Sequence, residues 1–588
     1  MLNCFENDKL SKKALPRLGM STTNNERFLR FWFEIKLMRI GFNCTSLEDS
    51  VVSGYKYFPL SKGGSFRKWY GNNEYVVNYF NNGVEVKEAI LNNPNDKTTK
   101  HWSRKIFNTE YFFKKGITWS RISSSNISFR INNVGVIIGD AGPALFPKSE
   151  TLDYVIALVN SNVSLKILSV INPTLTFQTG NVANLPFLEF PNGIIENSAT
   201  KSINISHQEW DSRETSWDFE ENELVRFNGQ DIEEAIELYK QFWTKKFIEL
   251  HQNEEELNRQ FIEIYGLEED LDPNVLLEDI TILRDELNQR ELKEISSWYR
   301  SGWSLNNGKW ELPQQAEFPI LPFDEKELVQ QFISYAVGVM FGRYSLDKKG
   351  LILANQGETL SDYLEQLESI KEELSFLPDA DAIIPILEDE WFEDGIVGQF
   401  RAIVKTVWGD SNYQRNMRVI EELLKSDIGK YFNRDFYKDH IKRYKKRPIY
   451  WMFSSPKGAF NVLVYMHRYS ADTISNILNN YLREFIGKLQ LRLEQLERMK
   501  EVGTAREQAQ VAREIDKIGK DLLDCKQYER KILFDLATER IEIDLDDGVL
   551  VNYNKMGSAV APIAGLNDTA TKKKVRGFDW IDVKEIRG

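Results

Sequence analysis

The 588-residue sequence is sparing with the side chains on which most compact catalytic and metal sites are built. Its 3 cysteines, Cys4, Cys44 and Cys525, lie far apart without paired spacing, which excludes a disulfide framework and a zinc cluster and suits a reducing cytoplasm. Its 5 histidines, His101, His207, His251, His440 and His467, show no ligand spacing, so metal binding and histidine-based catalysis have no support. Long apolar runs are missing too. The most apolar stretch, VGVIIGDAGPALF, is short and broken by Asp140, Gly142 and Pro143, and the opening MLNCFENDKLSKK lacks a signal-peptide core, so no membrane association is expected.

Glycine-rich phosphate turns are equally absent. Neither G-x-G-x-x-G nor G-x-x-x-x-G-K-[ST] occurs, which argues against nucleotide or S-adenosylmethionine (SAM) binding by this chain. An Asp/Asn/Ser-Pro-Pro-aromatic loop, needed to hold a flipped base for amino methylation, is lacking as well; NPTL at Asn172 and NPND at Asn93 read as turns. Glu85 and Lys87 have the E-x-K spacing of some nucleases, but that tripeptide is common by chance.

What is present is segregated charge. The chain carries a formal −13, yet residues 51–148 hold fourteen Lys/Arg against six Asp/Glu, a local +8. A lobe that binds a polyanion would give this, and so would a basic lobe docked on an acidic part of the same chain. With 42% hydrophobic and 28% charged residues, the length supports about three or four domains.

Periodicity outlines an α+β, multidomain fold: a β-rich lobe, then mainly helical domains with a coiled-coil-like helical hairpin. Phe28, Phe31, Trp32 and Ile35 have helical spacing and predict an opening helix within 1–50. Residues 51–195 read as a mostly antiparallel lobe, with YVVNYF, NISFRI and GVIIGD as strands and NNG, SSSN and NNVG as hairpin turns. One amphipathic helix is expected over SETLDYVIALVNSNVSLKILSVI. Residues 196–300 form a charge-alternating helical spacer, 301–484 an α/β domain with a basic cluster, 485–540 the helical hairpin and 541–588 a tail. In the hairpin, Leu489, Leu493 and Leu496, then Ile515, Ile518 and Leu522, mark the seam, Gly503 interrupts it, and Thr504 with Glu507 forms a capping box that restarts the helix.

Three basic stretches are candidates for contact with double-stranded DNA. GGSFRKWYGNNEYVV, expected as a strand, a turn and a second strand, offers Arg67, Lys68, Trp69 and Tyr70. Arginine forks can meet guanine edges, lysines phosphates, and aromatic rings sugars or bases. A hairpin with Trp69 in the core and its cations in solvent is the plain alternative. The stretch from His101 to Arg130 repeats the mixture with Arg104, Lys105, Lys114, Lys115, Trp119, Arg121 and Arg130, beside a Ser/Asn cluster. The third runs along a helix that ends before the strand PIYWMFSS, and includes Lys442, Arg443, Lys445, Lys446 and Arg447.

Long strings in these stretches and beyond them carry a resemblance. GGSFRKWYGNNEYVVNYFNNG, GITWSRISSSNISFR, EWDSRETSWDF, SYAVGVMFGRYSLD, YFNRDFYKDHIKRYKKRPIYWMFSSPKGAFNVLVYMHRY and VRGFDWIDVKEIRG together resemble the C-terminal half of the PglX family, adenine-specific DNA methyltransferases of BREX phage-exclusion systems. The resemblance implies that 51–195 is the target-recognition domain. It also implies that the N-terminal segment joins a SAM-binding domain whose motifs would precede Met1, as in a truncated or split gene product. The intact family enzyme uses SAM; no cofactor and no catalytic residue is carried over to this chain, which alone is expected to be inactive. Two alternatives accompany this reading: a subunit active with a separate SAM-binding domain in trans, or an interaction scaffold for other BREX components that reads no DNA.

Overall fold

The computed structural model describes residues 2–123, 126–190, 193–312, 317–368, 373–387, 391–500 and 504–587. Helix takes 51% of the chain and strand 11%, in several small sheets, so the fold is multidomain α+β. The chain divides into two compact units. Unit 1 comprises Met1–Trp32, Met38–Phe219 and Ile236–Glu327; unit 2 comprises Phe33–Leu37, Glu220–Ala235 and Leu328–Gly588.

In unit 1 the strands are β1 (Ala14–Arg17), β2 (Leu29–Phe31), β3 (Tyr57–Ser61), β4 (Tyr75–Asn78), β5 (Gly116–Trp119), β6 (Phe129–Asn132), β7 (Ile137–Ile138), β8 (Ala144–Pro147), β9 (Ser304–Asn306) and β10 (Lys309–Glu311). They make a sheet of order β1-β8-β5-β6, a second of order β2-β4-β3-β7 and the hairpin β9-β10. All pairings are antiparallel except β3 with β7. Phe28, Phe58, Val77, Tyr79, Phe113, Ile137 and Ile138 are among the side chains of one buried core.

Local signals and tertiary pairing disagree at several points of unit 1. The expected opening helix is only a turn, Asn25–Phe28, capped by the Asn24 side chain, which accepts from the Arg27 N–H at 3.1 Å. Leu29 then becomes extended, and β2 pairs with β4 in the register Leu29↔Val77 and Phe31↔Tyr75. The apolar residues there serve a sheet, and pairing overrides their helical spacing. NNG is not a hairpin turn: Asn81, Asn82 and Gly83, all at positive φ, lie at the start of the helix Phe80–Leu91. The expected single helix over 149–171 is two, Leu152–Asn160 and Asn162–Ile171, which meet at 67°. Ser161 breaks the run by turning extended, and its hydroxyl caps the second helix from Ser164 N–H at 3.3 Å. Among the described residues no single helix is long and apolar enough to cross a membrane.

Unit 2 is mainly helical around a three-stranded antiparallel sheet of order β11-β13-β12, formed by β11 (Ile383–Pro385), β12 (Tyr450–Ser454) and β13 (Asn461–Tyr465). The strand read from PIYWMFSS is β12. The hairpin consists of helices Arg483–Met499 and Ala505–Tyr528. Ion pairs Arg483–Glu529 and Arg492–Glu514, each at 2.8 Å, fix the two as antiparallel neighbours. Leu489, Leu496, Ile518 and Leu522 are buried in its seam, Leu493 and Ile515 half-buried, and Thr504 and Glu507 form the capping box. Gly503 lies outside the described residues.

Candidate nucleic-acid interface

Of the strand, turn and second strand expected over GGSFRKWYGNNEYVV, the second strand forms as β4, paired antiparallel with β3, but GGSFRKWYG is an irregular loop joining the two. Between β3 and β4 the backbone is irregular, with Gly63, Gly64, Trp69, Gly71 and Asn72 all at positive φ. At Gly71, φ is 120° and a Cβ would fall 2.3 Å from Arg67 Nε and 2.6 Å from the Trp210 ring, so only glycine lets the chain close over the arginine.

Arg67 points inward. It is 5% exposed, donates from Nε to the Tyr70 carbonyl at 2.7 Å and lies over the Trp210 ring at 4.9 Å. Its guanidinium pairs with the buried Glu209, which also holds Arg213 and accepts from the Leu283 N–H at 2.8 Å. Lys68 is likewise buried, with its ammonium 2.6 Å from Glu254, and the Trp69 indole N–H donates to the other oxygen of that carboxylate at 2.8 Å. The cations of this loop are thus the internal counter-charges of acidic residues on helices Ile194–Asp211 and Ile232–Tyr265.

The electrostatics fit a permanent network. Burial alone would push the Glu209 carboxyl up, but Arg213 and then Arg67 outweigh it and hold it down at about 2. Arg213 is pushed the other way, well above its ordinary value, because Glu209, Glu286 and Asp285 together exceed its cost of burial.

Tyr70, Trp119 and Arg130 are internal as well. Tyr70 is 2% exposed against the His207 ring, with a hydroxyl that accepts from the Asn133 amide at 3.2 Å. The Trp119 indole donates to the Phe177 carbonyl at 3.0 Å. Arg130 donates to the Arg67 carbonyl at 3.3 Å, and burial followed by the Arg67 charge lowers it to about 10. Arg67, Lys68, Trp69, Tyr70, Trp119 and Arg130 are therefore corrected from candidate DNA contacts to core residues, because water and ligand alike are excluded from them. Part of the basic charge of residues 51–148 is taken up by acidic groups of the same unit.

The other candidate cations of that stretch differ in exposure. Arg104, Lys114 and Lys115 are exposed, Lys105 is half-buried and paired with Asp96 at 3.1 Å, and Arg121 is half-buried. Ser124 and Ser125 of the Ser/Asn cluster lie outside the described residues.

Sheet register gathers further cations that the sequence did not single out. β1 meets β8 as Ala14↔Pro147, and β5 meets β8 as Ile117↔Leu145. Continuing those registers brings Lys13, Lys148, Lys114 and Lys115 to one end of the sheet, all exposed. Tyr111 lies between two of the region's charges, with the Arg17 guanidinium 4.9 Å and the Lys114 ammonium 5.3 Å from its ring. Lys13 shares its charge with Glu189 at 2.5 Å. The sequence does carry a hint, since KKALPR at the N-terminal side repeats the Lys-Lys-apolar pattern of KKGI, but only pairing through β8 joins the two.

In unit 2 the third basic stretch stands at the end of helix Tyr437–Arg443. Lys442, Lys445 and Lys446 are exposed, while Arg443 and Arg447 are half-buried. Lys445 and Lys446 are left-handed, at φ 51° and 62°, and their N–H groups close the helix onto the Lys442 and Ile441 carbonyls at 3.1 and 2.8 Å. That turn places both residues beyond the last helical turn. Arg447 is drawn inward by Glu34 at 3.4 Å.

No family model matches the chain. Among curated proteins it is 32% identical over 570 residues to "Adenine-specific methyltransferase BrxX" of Escherichia coli O9:H4 (strain HS). It is also 32% identical over 569 residues to "Adenine-specific methyltransferase PglX" of Lacticaseibacillus casei (strain Zhang). Each match covers 94% of this chain but 43% of the relative. Through nearly its whole length the chain is a relative of the PglX and BrxX adenine-specific methyltransferases, and it spans less than half of theirs.

Proposed function

We propose that this chain is the DNA-contacting, target-recognition and scaffold portion of a site-specific N6-adenine DNA methyltransferase acting in BREX phage defence in the cytoplasm. The observation that carries the reading is the exposed cation array at one end of the β1-β8-β5-β6 sheet, in a chain related to adenine-specific methyltransferases over 94% of its length. Lysine doublets suit phosphate, which they meet as point charges, whereas the half-buried Arg121 is the remaining candidate for a base edge. Double-stranded DNA is the partner; a SAM-binding domain, in the same polypeptide or in trans, and other BREX components complete the assembly.

SAM is assigned to the separate SAM-binding domain. No step of methyl transfer is assigned to this chain. An interaction scaffold without DNA reading is the second account, favoured by the internal pairing of Arg67 and Lys68 with Glu209 and Glu254.

Salt dependence separates the two accounts. The chain is expected to bind labelled duplex with an affinity that falls steeply between ~50 and ~200 mM salt, since each neutralised phosphate releases counterions. Absence of binding at the lower salt would leave only the scaffold account.

A further inference from the structure

The C-terminal segment of unit 2 adds a second basic run to the one at the end of helix Tyr437–Arg443. Lys446 reaches across the turn at Gly565, where its Nζ stands 3.5 Å from the point a Cβ on that glycine would occupy. The Gly565 N–H donates to Asp568 at 2.5 Å, and the same side chain caps the helix Thr569–Val575 by accepting from the Thr571 N–H at 2.8 Å. At ~1.5 Å of rise per residue, Lys572, Lys573 and Lys574 follow within about two turns of that cap, and Arg576 comes just after them.

Lys573, Lys574 and Arg576 are exposed and Lys572 is half-buried. Burial, and then the Arg576 charge, lower the Lys572 ammonium from its ordinary range, which agrees with a crowded positive surface. Three acids of the same segments have partners of their own. Asp568 is committed as the cap, Asp435 pairs with Lys438 at 3.0 Å, and Glu585 pairs with Lys555 at 2.8 Å.

We infer that Lys442, Lys445 and Lys446, together with Lys572–Lys574 and Arg576, form a docking surface on unit 2 for the phosphate backbone of duplex nucleic acid. The inference rests on the reading of the chain as DNA-contacting, and adds a surface outside the β-rich lobe. Its composition favours phosphate over an acidic protein: lysine is depleted from protein interfaces, while a duplex presents one charge per ~1.7 Å of axis to a row of point charges. The surface gives affinity without sequence preference, since lysines directed at phosphates read no base edge.

The test uses the full chain and a labelled duplex of random sequence, with binding followed by anisotropy from ~50 to ~200 mM salt. K572A/K573A/K574A should flatten the slope of log affinity against log salt by about 0.9 for each phosphate left unneutralised, and K445A/K446A should do so in the same way. Both variants are expected to keep the wild-type melting temperature; should the triple variant fail to fold, the doublet carries the test. Unchanged slopes in the folded unit 2 variants, with a flattened slope in K114A/K115A, would overturn this surface while leaving the DNA reading intact. Failure of the wild type to bind duplex at the lowest salt would overturn both. Capture of polyglutamate instead of duplex, abolished in the triple variant, would assign the surface to an acidic protein and overturn the inference.

Discussion

Replacing Glu209 with alanine is expected to cost unit 1 about 3–5 kcal/mol of stability, the range found when one partner of a buried ion pair is removed. The change would strand Arg67 in the interior, leave Arg213 to Asp285 and Glu286 alone, and leave the Leu283 N–H without its acceptor. The pair R67A/E209A should cost less than the sum of the two single changes, because each single change leaves a buried charge that the double change removes. Thermal or urea unfolding of the four proteins gives the cycle. The acid limb follows from the same group. A carboxyl held at about 2 when folded, against 4.5 as its ordinary value, contributes stability that is complete above 4.5 and is lost as pH falls toward 2. E209Q should lose that dependence. Additive costs in the cycle would mean that the loop is not held by this network.

Unit 2 is expected to show two opposed pH dependences of stability, each with a limiting slope on the order of 1 kcal/mol per pH unit for each proton. His467 is buried and lowered to about 3, first by burial and then by the Arg343 charge, although its Nε2–H donates to the Ile35 carbonyl at 3.1 Å. His440 is lowered well below its ordinary value by burial, Arg443 and Arg343, and its Nε2 accepts from the Tyr450 N–H at 3.1 Å, a bond the protonated ring could not make. Both must stay neutral, so their contribution is complete above 6.5 and is lost as pH falls. Asp379 runs the other way. Burial, then Asp381 and Asp394, push it up to about 7, so its contribution is complete below 3.8 and is lost as pH rises toward 7. Tyr481 bonds to the latter two carboxylates, and Arg468 donates to the Asp379 carbonyl at 2.7 Å. Between about 4 and 6.5 the aspartate therefore offsets one histidine. D379N should steepen the loss of stability on acidification, and H467N should flatten it. Parallel curves for wild type and D379N would refute the assignment.

Several elements were legible because their signals are local. The seam of Leu489, Leu496, Ile518 and Leu522 needs only heptad-like spacing, and the Thr504–Glu507 box only residues three apart. The strand β12 was legible for the same reason, and so was the helix before it, although it ends at Arg443 and does not carry Lys445, Lys446 and Arg447 as expected. The opening helix was misread because the partner that makes Leu29–Phe31 a strand is β4, far along the chain. The GGSFRKWYG stretch was misread more deeply. Its composition shows cations and aromatic rings but not which way they face, and the deciding carboxylates lie 142 residues away for Arg67 and 186 for Lys68. The possibility of a basic segment docked on acidic residues of its own chain was visible from charge counts; which cations it would consume was not. Lys13 and Lys148 escaped notice because sheet register, absent from any sequence window, is what sets them beside Lys114 and Lys115.

Exposure divides the basic segment into a buried brace and an exposed end, and one comparison tests most directly the proposal that this end meets phosphate. The salt dependence of duplex binding is measured for the wild type and for K114A/K115A/K148A, three exposed residues at the end of the β1-β8-β5-β6 sheet. The predicted result is a slope flatter by about 0.9 for each phosphate the variant no longer neutralises, at an unchanged melting temperature. Superimposable binding curves for the two proteins from ~50 to ~200 mM salt would contradict it, and would remove this sheet end from the DNA interface.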